Sequence, residues 1–238
     1  MSSQVKNIIQ NALKEGRTAL MEHESKDIIQ AYGIDVGKYK IVNNSDAAAA
    51  AANEIGYPVV CKIASPDIIH KTDAGGIKLN LKNADEVKKA YNEIIENAKK
   101  YKSDAKITGI NVQKMTEKGI TEVIIGMTTD PQFGPALMFG LGGIFVEIYK
   151  DVSFRVCPIT EYDANEMIKD IKAFPLLDGF RGAPKADVKF LVDALMKICK
   201  LSLEVPEIDQ IDLNPIIALS KGAAVVDARI ILKEPKKE

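Results

Sequence analysis

This chain of 238 residues has only two histidines. One of them, His70, lies in the stretch SPDIIHKTDAGGIKL, residues 65–79. Asp67 precedes it, Lys71 follows it, and the turn Ala74-Gly75-Gly76 comes next. A structural histidine sits more naturally on an apolar face. An imidazole among charged neighbours beside a glycine turn suits the handling of phosphate, because its pKa lies near neutrality and it is a competent nucleophile there. The two glycines let backbone approach a ligand closely, and successive N–H groups in such a turn form an anion nest. A hairpin turn is the plainer reading. The stretch matches neither the dinucleotide fingerprint nor the G-x-x-x-x-G-K-[ST] phosphate loop, so a nucleotide bound here requires a different fold.

Four other stretches carry chemistry. Lys62 interrupts the apolar run PVVCKIA, where alternation puts Val60, Lys62 and Ala64 on one face and Cys61 and Ile63 on the other. It points either to solvent, the plainer reading, or into a cleft to meet an anion. In INVQKMTEKGITEVIIGM, the run Gln113-Lys114-Met115 ends a strand before a polar turn. Such a hinge can hold adenine through backbone groups, and Glu122 on the next strand can bond a sugar or orient Lys62; a plain hairpin fits equally. FGLGGIFVEIYKDVSFRVCPI sets Gly140, Gly142 and Gly143 in a tight loop and mixes Glu147, Lys150, Asp151 and Arg155 into strands. It reads as a solvated face or as a cleft wall that meets phosphate through Arg155. In QIDLNPIIALSKGAAVVDARI, Asp212 and Asn214 share a face, Pro215 ends that arrangement, and Asp227 lies on the next strand of a hairpin around Ser220-Lys221-Gly222. Oxygen donors on two neighbouring strands suit Mg²⁺, which completes its shell with phosphates and water; taken alone, such residues are more often caps.

The elements that must position these residues follow from periodicity. Helices are predicted over 4–14, 21–33, 44–56, 83–101, 161–172 and 187–202. Ser45 or Asp46 caps the third and Asn83 or Asp85 the fourth. Strands are predicted at 35–42, 57–64, 75–81, 106–115, 121–130, 135–143, 144–159 and 223–232. Mixed helices and strands with short links give an α+β chain of mixed α/β lobes. The predicted divisions are an N-terminal helix (1–16), a lobe with the His70 loop (17–110) and a lobe with the hinge and metal residues (111–238).

Composition excludes several classes. Hydrophobic residues are 46% and charged residues 27%, ordinary for a globular chain, and a net charge of −1 lacks the basic excess of a general nucleic-acid binder. Cys61, Cys157 and Cys199 are far apart, form no C-x-x-C and read as reduced core thiols of a cytoplasmic protein. The first residues read as an amphipathic helix, neither a signal peptide nor a membrane span. His23, on a helix between Glu22 and Glu24, reads as a solvated structural residue.

Together these pieces resemble an ATP-grasp fold, two lobes with the nucleotide in the cleft between them. Within that fold, SPDIIHKTDAGGIKL, VQKMTEKGITEVIIGM and DLNP…VVDARI are similar to the β subunits of the ADP-forming acetyl-CoA synthetases, archaeal relatives of succinyl-CoA synthetase. The resemblance runs from about residue 17 to residue 232, and H-K-T-D-A-G-G is its specific part. It implies the reversible reaction acyl-CoA + ADP + phosphate = acid + CoA + ATP. It also implies a phosphohistidine at His70 that relays phosphoryl from a CoA-binding α subunit to ADP. Lys62, Lys71 and the Gly75-Gly76 amides are the implied charge neutralisers, Asn214 and Asp227 the Mg²⁺ ligands, and Asp212 the residue that orients the incoming phosphohistidine. Glu122 or Glu147 would touch nucleotide. Succinyl-CoA synthetase β chains carry a further domain that the resemblance places in the α chain, so an α2β2 assembly is expected. The rival readings are a single-chain ATP-grasp carboxylate–amine ligase and an ATP-sensing subunit without turnover; neither needs His70.

Overall fold

The computed structural model describes residues 1–142 and 150–234. In chain order its helices are α1 (Ser3–Lys14), α2 (Glu22–Ala31), α3 (Ser45–Ile55), α4 (Ala84–Tyr101), α5 (Glu161–Lys169), α6 (Phe174–Leu177) and α7 (Val188–Glu204). Its strands are β1 (Tyr39–Val42), β2 (Val59–Ala64), β3 (Ile77–Leu81), β4 (Gly109–Lys114) and β5 (Thr121–Asp130), then β6 (Gly134–Leu141), β7 (Val152–Val156), β8 (Ile208–Ala218), β9 (Ala223–Val225) and β10 (Arg229–Leu232). They form two compact units, Gly37–Glu117 and Met1–Val36 with Lys118–Glu238.

The Gly37–Glu117 unit is an antiparallel sheet of order β1-β4-β2-β3 backed by α3 and α4. Alanine, the best helix former, fills α3 and keeps it thin enough to pack Ala48, Ala51 and Ala52 into the core. Its N-cap is Asn44, whose Oδ1 accepts from the Ala47 N–H at 2.8 Å. The predicted caps Ser45 and Asp46 instead lie inside the first turn. Asn83 caps α4 as expected, accepting from the Glu86 N–H at 2.9 Å. Val87, Ala90, Ile94 and Ala98 then recur at helical spacing and meet Val59, Cys61, Ile63, Ile110 and Val112 of the sheet. This fixes the other face of β2 and β4, bearing Val60, Lys62 and Ala64 opposite Gln113, Asn111 and Gly109, as the one turned from the helices.

In the other unit, five strands run in the order β10-β8-β5-β6-β7 with β9 beside β8, among the described residues, and all pairings are antiparallel. One face is core: Val123, Ile125, Leu137, Phe139, Ile211, Leu213 and Ile230 are buried, and α5 and α7 contact its strands. The Ser153 hydroxyl on β7 donates to the Met167 carbonyl of α5 at 2.6 Å, which fixes that helix to that face.

The unit boundaries differ from the predicted 17–110 and 111–238. Residues 17–36 belong with the C-terminal unit, and β4 belongs with the smaller sheet. The cause is pairing across the sequence. Leu20 N–H donates to the Ile230 carbonyl at 3.0 Å, Leu232 N–H to the Thr18 carbonyl at 2.8 Å, and Ile230 N–H to the Ser25 hydroxyl at 3.1 Å. Three predicted strands also changed. The 35–42 strand starts only at Tyr39, the 144–159 strand is Val152–Val156 with 144–149 lying outside the described residues, and 223–232 splits into β9 and β10 with Asp227 between them. All three cysteines are buried. No described helix is long and apolar enough to cross a membrane.

Candidate active site

The loop between β2 and β3 presents His70. Four contacts fasten its two ends. Asp67 accepts from the Lys106 N–H at 2.7 Å and lies 3.7 Å from the Lys102 ammonium. On the far side, the Asn97 amide donates to the Gly75 carbonyl at 3.2 Å, and the Gly76 carbonyl accepts from the Ile63 N–H at 2.7 Å. Ile68 and Ala74 are buried on either flank. Between these anchors His70 is exposed, as is its neighbour Ile69. An accessible imidazole on a tethered loop is what a group-transfer nucleophile requires.

The glycine turn works differently from the predicted nest. Ala74 N–H donates to the His70 carbonyl (3.2 Å), Gly75 N–H to Thr72 (2.9 Å) and Gly76 N–H to Lys71 (2.7 Å). The amides offered to an anion are therefore engaged inside the loop. The glycines are needed for shape. Gly75 has φ +60°, and a Cβ on Gly76 would stand 2.6 Å from the Ile63 methyl and 3.0 Å from the Lys71 carbonyl.

Lys62 is 4% exposed, so the solvent-facing reading is overturned. Alternation gave its face correctly but not its depth. Asn111 lies directly across from it on β4 and is 2% exposed; Gln113, two residues on and across from Val60, is 7% exposed. These side chains share one sheet face. Lys114 does not join them. It pairs with Val59 on the helix-backed face, and its ammonium reaches the Gly56 and Tyr57 carbonyls at 3.1 and 2.7 Å. The N–H groups of Lys114 and Met115 donate to the Lys38 and Pro58 carbonyls at 3.0 and 3.1 Å, so of the backbone groups expected to hold adenine neither of these N–H groups is available.

The second cluster lies in the larger unit. β8 runs straight through Pro215, correcting the expectation that this residue ends the strand. Val226 N–H donates to the Pro215 carbonyl at 3.1 Å, which draws the Val226-Asp227 segment to the Asn214-Pro215 segment. Asp227 sits in the connection between β9 and β10, not on a strand, and accepts from the Ala228 N–H at 2.9 Å. Lys26 of α2, 1% exposed, clamps this connection. Its ammonium meets the Val226 carbonyl at 3.0 Å and the Glu22 carboxylate at 2.9 Å.

Asp212 pairs with Arg229 and Gly126 across the sheet. Burial, and after it the negative charge of Asp227, pushes its carboxyl above the ordinary carboxylate range, while Arg229 pulls the other way. Its Oδ1 is buried with no hydrogen-bond partner among the described residues. An orphaned carboxylate oxygen beside a second carboxylate, with the Asn214 amide close in sequence, fits a hard divalent cation that takes oxygen ligands. No cluster of three or more His, Cys, Asp or Glu able to hold a metal occurs among the described residues, so such an ion would draw its remaining ligands from phosphate and water. Asp212 also edges a cavity of about 280 Å³, where Arg229, Gln210 and Thr128 join apolar side chains such as Ile124, Met138 and Phe154.

Arg155 was predicted to meet phosphate. It instead pairs with Asp170 at the end of α5, at 2.6 Å. Glu122 is exposed at the start of β5, and Glu147, like Gly143, lies outside the described residues. His23, expected on a solvated face, is half-buried, and that burial lowers its pKa. Sequence reasoning missed Asn111 and Lys26. The signal for Asn111 was present: it stands two residues before Gln113, on the same face of an otherwise apolar strand.

The family model described as the ATP-grasp domain matches residues 11–232. The chain belongs to the ATP-grasp family. Among ATP-grasp relatives, the acetate–CoA ligase (ADP-forming) I subunit beta of Pyrococcus furiosus is 52% identical over 230 residues, covering 97% of this chain and 98% of that one. An ADP-forming acetate–CoA ligase I of Archaeoglobus fulgidus is 46% identical over 95% of this chain, which spans 33% of that longer protein. A solved acetyl-coenzyme A synthetase 1 of Candidatus Korarchaeum cryptofilum, in complex with coenzyme A and Ca-AMPCP, superposes with a TM-score of 0.93. It is 50% identical, with 96% of this chain and 99% of that one covered. Another structure of that enzyme, with Mg-AMPPCP and its phosphohistidine segment pointing towards the nucleotide site, gives 0.86 at 47% identity over 96% and 100% of the two chains. The expected α+β ATP-grasp fold is thus the fold of this chain.

Proposed function

We propose that this chain is the nucleotide-binding β subunit of an ADP-forming acyl-CoA synthetase, and that His70 relays a phosphoryl group. The observation that carries the reading is the exposed imidazole of His70, tethered on both sides, on the loop that leaves the strand bearing buried Lys62. A single-chain ligase or a nucleotide sensor has no use for such a residue. The half-identical relatives named above support the same assignment.

The chemistry is one of exchange. A ring nitrogen of His70 attacks the phosphorus of a phosphohistidine carried by a CoA-binding α subunit; a P–N bond to His70 forms and the partner's P–N bond breaks. The terminal oxygen of ADP then attacks the same phosphorus, and the imidazole leaves. Little covalent work is asked of the protein beyond position and charge neutralisation. Lys62 and Lys71 supply fixed positive charge. Asn214 and Asp227 would hold Mg²⁺, which neutralises phosphate charge when bound. Asp212, at the edge of the cavity that Arg229 also lines, would receive and orient the partner's phosphohistidine. Acid and CoA sites would lie on the α subunit, in an α2β2 assembly in the cytoplasm.

The test uses the complex reconstituted with its α subunit. His70→Asn should abolish acyl-CoA-dependent ATP formation while Mg-ADP binding is kept. Unchanged turnover in that variant would overturn the reading.

A further inference from the structure

Asn111 is 2% exposed, and both polar atoms of its side chain, Nδ2 and Oδ1, are buried with no hydrogen-bond partner among the described residues. An amide left so costs stability unless something pairs with it. Asn111 lies in a row that crosses the smaller sheet: Ile41 on β1, Asn111 on β4, Lys62 on β2 and Ile77 on β3. Directly opposed residues in such a ladder have Cβ atoms about 5 Å apart. The adjoining row is Tyr39, Gln113 and Val60. The amide therefore has a cation on one side, the apolar Ile41 on the other, and Gln113 two residues along its own strand between Tyr39 and Val60.

Resting on the nucleotide-binding reading above, we infer that the Asn111 side chain binds the adenine base of ADP, on the same sheet face from which Lys62 meets the phosphates. The amide decides which part of the nucleotide it meets. It presents one acceptor and one donor in a plane. A phosphate oxygen only accepts, so it would satisfy Nδ2 and leave Oδ1 orphaned. Adenine sets its 6-amino donor beside a ring-nitrogen acceptor, and asparagine pairs with that edge through both atoms. The flanking apolar side chains suit the faces of a planar base. The N–H groups of Lys114 and Met115 are engaged elsewhere, so they do not supply the donor that a ring nitrogen needs, whereas the Asn111 Nδ2 can.

Asn111→Leu keeps the volume close and removes both polar atoms. Three ligands are titrated into wild type and variant by calorimetry with Mg²⁺ present: ADP, purine riboside 5′-diphosphate, which lacks the 6-amino donor, and inorganic pyrophosphate. Wild type is expected to prefer ADP to purine riboside diphosphate. The variant should lose roughly 10- to 100-fold in ADP affinity and most of that preference. Its pyrophosphate affinity and its melting temperature should be unchanged or higher, since an orphaned amide has become apolar. Unchanged ADP affinity overturns the inference, as does an equal loss for ADP and purine riboside diphosphate, which would place the amide on the ribose. A parallel loss for pyrophosphate would place it on phosphate and overturn the inference too. A lower melting temperature with ADP affinity intact would make Asn111 structural. A wild type that binds none of the three ligands would instead sink the nucleotide-binding reading itself.

Discussion

Replacing Lys26 by methionine removes an ammonium that is 1% exposed and leaves its surroundings in place. The Glu22 carboxylate, 2.9 Å away with its side chain 6% exposed, loses its ammonium partner, and the Val226 carbonyl loses a donor at 3.0 Å. Breaking a buried pair from one side costs about 3–5 kcal/mol, because a charge stays buried without its counter-charge. For a chain of this size each kcal/mol lowers Tm by about 2–4 °C, so Lys26→Met should melt roughly 6–20 °C below wild type. Glu22→Leu added to Lys26→Met removes the stranded charge and should restore most of the loss, since an apolar replacement of a whole buried pair is often neutral or stabilising. Function should not return with stability. Val226 precedes Asp227, and the ammonium ties that connection to α2, so the double variant should need more Mg²⁺ for nucleotide binding. Circular-dichroism melts of wild type, both singles and the double, with a Mg²⁺ titration of ADP binding, check both halves. A single variant melting within about 2 °C of wild type, or a double no better than the single, would refute the reasoning.

Two further predictions concern the loop and the pH response. Gly76→Ala drives a Cβ to 2.6 Å from the Ile63 methyl and 3.0 Å from a backbone carbonyl that cannot swing aside, and should cost about 1–3 kcal/mol in urea unfolding. His23 has its pKa lowered, first by burial, with Glu24, Asp27 and Glu22 opposing and Arg17 assisting. Its contribution is therefore fully present above the unfolded value of 6.5 and is lost as the pH falls through the lower folded value. Tm should decline on acidification from about 6.5 down through the folded value, and His23→Gln should make the decline over that window shallower; an identical slope in the variant would exclude His23 as its source.

What the sequence made legible was local. Helix α4 follows from Asn83 and the spacing of Val87, Ala90, Ile94 and Ala98, all of which one turn of chain determines. The same holds for β5, where Thr121–Asp130 matched to the residue. The segment 223–232 looked like one strand because its side chains are β-formers. It is broken by distant partners: Lys26 takes the Val226 carbonyl and Pro215 takes the Val226 N–H. Lys26 lies far away in the sequence and Pro215 on the other arm of the hairpin, so the pattern within 223–232 does not record the break. Lys62 shows a second limit, since a period of two assigns a face but not a depth. At the candidate site, His70 stood out because its neighbours are charged and its loop is glycine-rich. Asn111 did not, because a neutral amide in a strand carries no charge pattern. The anion nest failed for a third reason: the sequence names donors but not the carbonyls already taking them.

The most direct measurement is intact-mass and peptide mass spectrometry, at alkaline pH, of the chain incubated with Mg-ATP and its α subunit. The account predicts one phosphoryl group on His70, stable to base, labile to acid and absent from His70→Asn. Turnover by the wild-type complex with no phosphoryl group on His70, or with the label on another residue of this chain, would contradict it.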